Sequence, residues 1–289
     1  MKFIVGEYGG MDQSSSLASM GTDGLKSAQG QADIAVCNCS IQSLEFPASK
    51  NAMLEVAFSL LKVGGELRVT DLVCSRRLSS SECEEARFAM ETSAGADGPA
   101  TVGGVTKQFE QKLLLSAPYI GDLQRLYRSL SSDIDVRRSS CNEVDAMAID
   151  VAVGALLPTL AAGGVHYRRV TFRAFRLQDV EDPCENYGQT AILKGVDAST
   201  DKAENLSRCY RLDDDWRFQK GVSTRVDGNT AQILRTSWLR HLFSVSGDRS
   251  RHRGPFARSP RSVENEAPST IQSSGTTTPT SEPLEMVDI

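Results

Sequence analysis

The sequence predicts an α/β fold, with a partly parallel sheet in the first part of the chain, a smaller α+β unit after it, and a tail that has no core of its own. Three observations carry this reading. Asp33-Ile34-Ala35-Val36-Cys37 is apolar on both faces, the pattern of a parallel strand covered on both sides. An amphipathic helix and a second strand follow it, the order of a β-helix-β crossover. From Tyr167 onward, long polar and apolar side chains alternate at strand spacing.

Taken in order, Lys2-Phe3-Ile4-Val5 reads as a short strand and 33–37 as the next. Ser49 is placed to cap a helix over 50–62, whose apolar positions 53, 54, 57, 58, 60 and 61 fall on one face. The Gly64-Gly65 pair is expected to stop that helix in a left-handed turn, with a strand over 66–72 following. A helix start and a Gly-rich insertion fill 79–110, and helical spacing returns over 120–130 and 144–160. Strands are expected at 167–177, 189–194 and within 208–218. From Ala257 to Ile289, 15 of 33 residues are Ser, Thr or Pro and none is aromatic, so this tail is expected to be disordered. The basic run Arg249 to Arg253 before it reads as a solvated edge, with a phosphosite or docking segment as the sharper alternative.

Composition narrows the function. The 289 residues carry 32 Lys+Arg against 37 Asp+Glu, a formal charge of −5, which argues against a nucleic-acid partner. The longest apolar run, Val151 to Val165, is broken by Pro158 and a Gly-Gly pair and falls short of the about 20 residues a bilayer crossing needs. Met1 to Glu7 is too short in apolar residues for a signal-peptide core, so a cytoplasmic protein is expected. The 7 cysteines, at 37, 39, 74, 83, 141, 184 and 209, are odd in number and scattered, as free thiols of a reducing compartment are. No Gly-rich phosphate loop, nucleophile elbow, HExxH or CxxC pair occurs. Asp213-Asp214-Asp215 reads as a solvated turn rather than a metal cluster. Cys37 and Cys39 fall at the carboxyl end of a parallel strand, where open α/β sheets place ligands, though small core residues is the plainer account of both.

Several ordered blocks resemble one family. Asp33 to Ile41, Leu54-Glu55-Val56, Leu60 to Leu67 and Thr70-Asp71-Leu72 look like the second half of the methyltransferase domain of arsenite methyltransferases. Thr171-Phe172-Arg173-Ala174-Phe175-Arg176-Leu177 and then Cys184-Glu185-Asn186-Tyr187-Gly188-Gln189 resemble that family's "TFRLFKL" and "CEDYGQ" blocks. Leu212 to Asp215 with Phe218, Gly228-Asn229-Thr230, and Gly247 to Gly254 resemble its C-terminal blocks.

The resemblance implies a partial Rossmann-like class I methyltransferase sheet over 1–130, the family's α+β C-terminal region over 131–256, and the tail over 257–289. It implies methyl transfer from S-adenosylmethionine to trivalent arsenic bound by thiolates. Glu7, Tyr8, Asn38 and Cys39 would contact the cofactor, and Cys39 and Cys184 would be the arsenic-binding, catalytic thiols. Arsenite or an arsenic-thiol conjugate would be the substrate and a thiol the reductant, with the chain acting as a monomer. The family's first strand, its Gly turn and the ribose-binding acid precede the segment at which this chain begins, so weak cofactor binding is expected of the chain as written. Two of the family's thiol positions carry Leu113 and the Val165-His166 step instead. A noncatalytic metalloid-binding or partner-binding remnant is therefore the second reading.

Overall fold

The computed structural model describes residues 29–38, 47–93, 101–102, 105–141, 143–182, 184–194 and 208–256. The strand expected at Phe3-Ile4-Val5 and the tail over 257–289 lie outside them. The described residues fall into two compact units, the first running to Val180 and taking in Leu212–Trp216 and Thr236–Arg240, the second holding the remainder.

The first unit opens with strand β1 (Ala32–Asn38), helix α1 (Pro47–Ser59) and strand β2 (Leu61–Cys74), and β1 pairs with β2 in parallel. This is the crossover that the periodicity predicts. Its details differ at both ends of α1. The helix starts at Pro47, whose missing N–H costs nothing in a first turn, so Ser49 lies inside the helix rather than at its cap. It stops at Ser59 because the Ala32 N–H takes the Leu60 carbonyl at 2.8 Å and Leu61 enters the ladder opposite Ala32. Between the Ala32–Leu61 and Ile34–Glu66 pairs the register shifts, and Gly64 sits there with φ +83°. Its left-handed backbone is as expected, but it serves a break in strand register and not a helix end.

Helix α2 (Ser80–Ser93) begins with a reciprocal cap: the Glu82 N–H donates to Ser79 Oγ at 3.2 Å and the Ser79 N–H to Glu82 Oε2 at 2.8 Å. After the short pair β3 (Thr101–Val102) and β4 (Val105–Thr106) come α3 (Lys107–Ser116), α4 (Ile120–Ser129), β5 (Ile134–Ser140), α5 (Glu143–Leu156), α6 (Pro158–Ala162) and β6 (Tyr167–Arg176). Pro158 divides the helix expected over 144–160, because a ring at that position cannot donate to the preceding turn. The sheet order is β1-β2-β6-β5, with β6 antiparallel to both neighbours. One face is packed by Leu54, Leu67, Val69, Tyr127, Phe172 and Ala174, none of which has exposed surface. A second cluster gathers Cys74, Ala86, Leu114, Val153, Leu160, Val165 and Tyr167.

Strands β5 and β6 join this sheet, and the first compact unit runs on to Val180. Strand β5 escapes a pattern reading because Arg137-Arg138-Ser139-Ser140 is polar on both faces. Its charges are met by the Asp213-Asp214-Asp215 turn. Asp214 accepts from the Ser140 N–H at 2.8 Å, the Ser140 hydroxyl at 2.7 Å and Arg138 Nε at 3.1 Å. Asp213, only 3% exposed, accepts from the N–H groups of Asp215 and Trp216. The turn is thus a latch rather than a wholly solvated turn, with Asp213 buried, Asp214 half-buried and Asp215 exposed. Asp214→Ala is expected to cost about 1.5–3 kcal/mol, the range for hydrogen bonds to a charged acceptor, read from the urea midpoint.

The second unit is α+β, as the sequence predicts. It holds the antiparallel sheet β10-β7-β11, made of β7 (Thr190–Leu193), β10 (Ser223–Arg225) and β11 (Phe243–Ser246), and the hairpin of β8 (Cys209–Arg211) with β9 (Arg217–Gln219). Helix α7 (Gly228–Thr236) starts under the Asp227 carboxylate, which accepts the Thr230 N–H at 2.7 Å. Among the described residues no helix is long and apolar enough to cross a membrane.

Candidate functional site

Parallel strands in open α/β sheets present ligands at their carboxyl ends, and here that end is where β1 and β2 run out together. The register pairs Cys37 with Val69 and Asn38 with Thr70, which leaves Asp71 one step beyond the last residue of β1. Alternation then sorts the side chains. On the face that carries Thr70, Asn38 is exposed and the Thr70 and Thr171 hydroxyls meet at 2.9 Å. On the other face Cys37 packs at the margin of the core beside Val69 and Tyr127, and Asp71 is fully buried.

The electrostatics of that second face are strong. Burial foremost, and then the Asp71 carboxylate and Cys37, push the Tyr127 phenol well up, and its hydroxyl has no hydrogen-bond partner among the described residues. Burial draws Lys50, in the first turn of α1, below the usual ammonium range while Asp71 pulls the other way. A thiol, a phenol, a carboxylate and an amine therefore converge at one strand end. A cleft of about 300 Å³ is bounded by Asp71, Leu72, Ala148 and Ile149 and rimmed by the Asp145–Arg169 ion pair, and of the four groups only Asp71 lines it. A larger depression, about 670 Å³, is lined by Gly30, Glu55, Phe58 and Arg176. It sits at the amino end of β1, away from the strand termini that hold the polar groups.

In the second unit, Cys184 has φ +76° and is half-buried, with its carbonyl accepting the Phe256 N–H. The loop that follows it runs against 252–256: the Asn186 N–H donates to Gly254 at 3.1 Å and the Arg253 N–H to Asn186 at 2.7 Å. Tyr187 donates to Glu181 Oε1 at 2.6 Å, His252 contacts Glu185, and Arg249 lies 5.9 Å over the Tyr187 ring. The basic run over 249–253 is thus partly spent on Tyr187 and its acids. Among the described residues no three His, Cys, Asp or Glu side chains are grouped to hold a metal ion.

No family model matches the chain. An arsenite methyltransferase of Aquipseudomonas alcaligenes is 28% identical over 232 residues, covering 80% of this chain and 56% of that protein. The crystal structure of an arsenic(III) S-adenosylmethionine methyltransferase from Chlamydomonas reinhardtii superposes with a TM-score of 0.56 at 27% identity, covering 79% of this chain and 64% of that one. The chain is similar to arsenite methyltransferases over about four fifths of its length. It spans between about half and two thirds of the length of these relatives.

Of the residues that resemblance to arsenite methyltransferases singles out, Asn38 stands exposed at the end of β1, and Cys184 lies in the second unit. Glu7, Tyr8 and Cys39 lie outside the described residues. At the positions where the family carries thiols, Leu113 falls in α3, Val165 is buried and His166 is exposed just before β6. Lys50 and Tyr127 were not picked out by motif, while Asp71 entered only within the Thr70-Asp71-Leu72 block and Cys37 only as a strand-end neighbour of Cys39. The available signal was Asp71 itself, a carboxylate in the middle of an apolar strand, which has to be met by other polar groups when buried.

Proposed function

We propose that this chain transfers a methyl group from S-adenosylmethionine to trivalent arsenic held by thiolates. The likeness to a solved arsenic(III) methyltransferase over 79% of the chain carries the reading. The carboxyl ends of β1 and β2 suit a charged, polar cofactor: an exposed amide at Asn38, a hydroxyl pair at Thr70 and Thr171, and the Lys50 ammonium near Asp71. Asn38 with Glu7, Tyr8 and Cys39 would hold it. When bound, S-adenosylmethionine supplies an electrophilic sulfonium methyl.

Cys39 and Cys184 take the arsenic. Each thiol that replaces an arsenic hydroxyl releases water and leaves a soft, sulfur-ligated centre with a nucleophilic lone pair. The chain's contribution beyond that is alignment. A small thiol serves as reductant, and the protein acts as a cytoplasmic monomer. Leu113 and the Val165-His166 step, where the family has thiols, favour a noncatalytic metalloid binder as the second reading.

Incubation with arsenite, S-adenosylmethionine and glutathione is expected to yield methylated arsenic and S-adenosylhomocysteine together, quantified by chromatography with elemental mass detection. Cys39→Ser or Cys184→Ser should abolish both products. Arsenite binding without either product would overturn the enzyme reading in favour of the binder.

A further inference from the structure

The depression of about 670 Å³ at the amino end of β1 plays no part in the reading above. Its volume lies within the range of about 300–1,000 Å³ that small-molecule sites occupy. The wall is built entirely within the first unit, from the turn before β1, the last turns of α1, the connection from α4 to β5 and the end of β6. Backbone bonds hold these pieces against one another. The Gly30 N–H donates to the Ser59 carbonyl at 3.0 Å, and an Arg176 terminal nitrogen donates to the Leu61 carbonyl at 2.8 Å.

That wall carries two opposite charges that do not meet. Arg176, 32% exposed, places Nε on Asp133 Oδ2 at 3.1 Å and Nη1 on Leu61, and its guanidinium carbon lies 6.0 Å from the centre of the Phe58 ring. Its Nη2 has no hydrogen-bond partner among the described residues. Asp133, which is not part of the wall, also accepts the Ser131 hydroxyl. Glu55 stands exposed on α1, one turn before Ser59, and forms no ion pair among the described residues. Nor does the last turn of α1 hold a basic side chain, although its unbonded carbonyls carry partial negative charge. Glu55 and the helix terminus together favour an ammonium at that side of the depression. A carboxylate is favoured at the other side, where Nη2 has both N–H groups to give. Phe58 and Leu130 add apolar wall to the same depression.

We propose that this depression binds a free amino acid or short peptide as its zwitterion, the ammonium on Glu55 and the carboxylate on Arg176, with an apolar side chain against Phe58 and Leu130. A zwitterion meets both charges at once, whereas a simple amine leaves Nη2 unmet and a simple acid leaves Glu55 unmet. The depression lies at the other end of β1 from Asn38, and the proposal does not rest on methyl transfer.

The test is calorimetric titration of the full chain with L-leucine and with leucyl-leucine, whose two charges lie closer together and farther apart. A dissociation constant below about 1 mM for at least one of them is expected. With the tighter of the two, N-acetylation, which removes the ammonium, and amidation, which removes the carboxylate, should each weaken binding at least about tenfold, as should Glu55→Gln. Glu55 is exposed, so its replacement leaves the fold in place. The amidated ligand probes Arg176 without a substitution there, which would strip Leu61 and Asp133 of a donor. Hydrogen exchange should slow over 55–61 and 129–133 on binding and stay unchanged over 69–72. Failure of both probes to bind, equal affinity in Glu55→Gln, or slowing confined to 69–72 overturns the site. An amidated ligand that binds as well as its parent overturns the zwitterion in favour of a simple amine.

Discussion

Arg173→Met is expected to lower the unfolding free energy by about 3–5 kcal/mol, the cost of leaving a buried charge without its partner. Arg173 is 2% exposed and grips Glu66 in fork geometry, Nε to Oε1 at 2.6 Å and a second nitrogen to Oε2 at 2.9 Å. A third donor reaches the Leu212 carbonyl at 2.8 Å, and Trp238 Nε1 donates to Glu66 Oε2 at 2.7 Å. Glu66 on β2, Arg173 on β6, and the two short segments 212–216 and 236–240 are tied to one carboxylate. With arginine gone, Glu66 keeps its burial and loses its compensation. Urea unfolding followed by circular dichroism reads the effect, and the Glu66→Gln/Arg173→Met pair should recover much of it, since no charge is then stranded.

The same pair sets a pH dependence. Burial alone would raise the Glu66 carboxyl, but Arg173, Arg68 and the Trp238 hydrogen bond together bring it below the usual carboxylate range. A folded value below the unfolded one means that this stabilisation is complete above the unfolded value and is lost as pH falls through the folded one. In Arg173→Met burial dominates and the sign reverses, so the deficit relative to wild type should shrink toward acid. A deficit that stays constant between pH 7 and pH 3 would show that Arg173 acts by packing and not by charge.

Gly64→Ala is expected to destabilise by about 2–5 kcal/mol, adding a left-handed penalty of about 1–2 to an overpacking cost of about 1–3. Gly64 has φ +83°, and an added Cβ would lie 2.7 Å from the Thr236 carbonyl carbon and 3.3 Å from the Ser237 nitrogen. Both neighbours are backbone, so no side-chain rotation relieves the contact. Gly164→Ala is the control. It has φ +71° with nothing within 4 Å of the added carbon, so only the conformational part, about 1–2 kcal/mol, should appear. Equal losses at both positions would show that the approach to Thr236 contributes nothing.

The elements legible in the sequence were those with one physical cause visible locally. The apolar stripe of α1, the alternation over β6 and the both-faced apolar run of β1 each declare their type within a dozen residues, because burial on one side imposes a period. Strand β5 was not legible, because it is polar on both faces: Arg137 pairs with Asp135 on its own strand and with Asp213, and Arg138 is met by Asp214, more than seventy positions away. The turn of aspartates was misread for the same reason from the other side.

The residues alone were enough to indicate the parallel crossover, the α+β character of the second unit and the resemblance to arsenite methyltransferases, since all three depend on order and spacing along the chain. They could not show that Asp71, Lys50, Tyr127 and Cys37 meet at one strand end. That grouping brings together side chains up to ninety positions apart on different elements, and its chemistry comes from burial, which fixes the charge on each group only after the chain has packed.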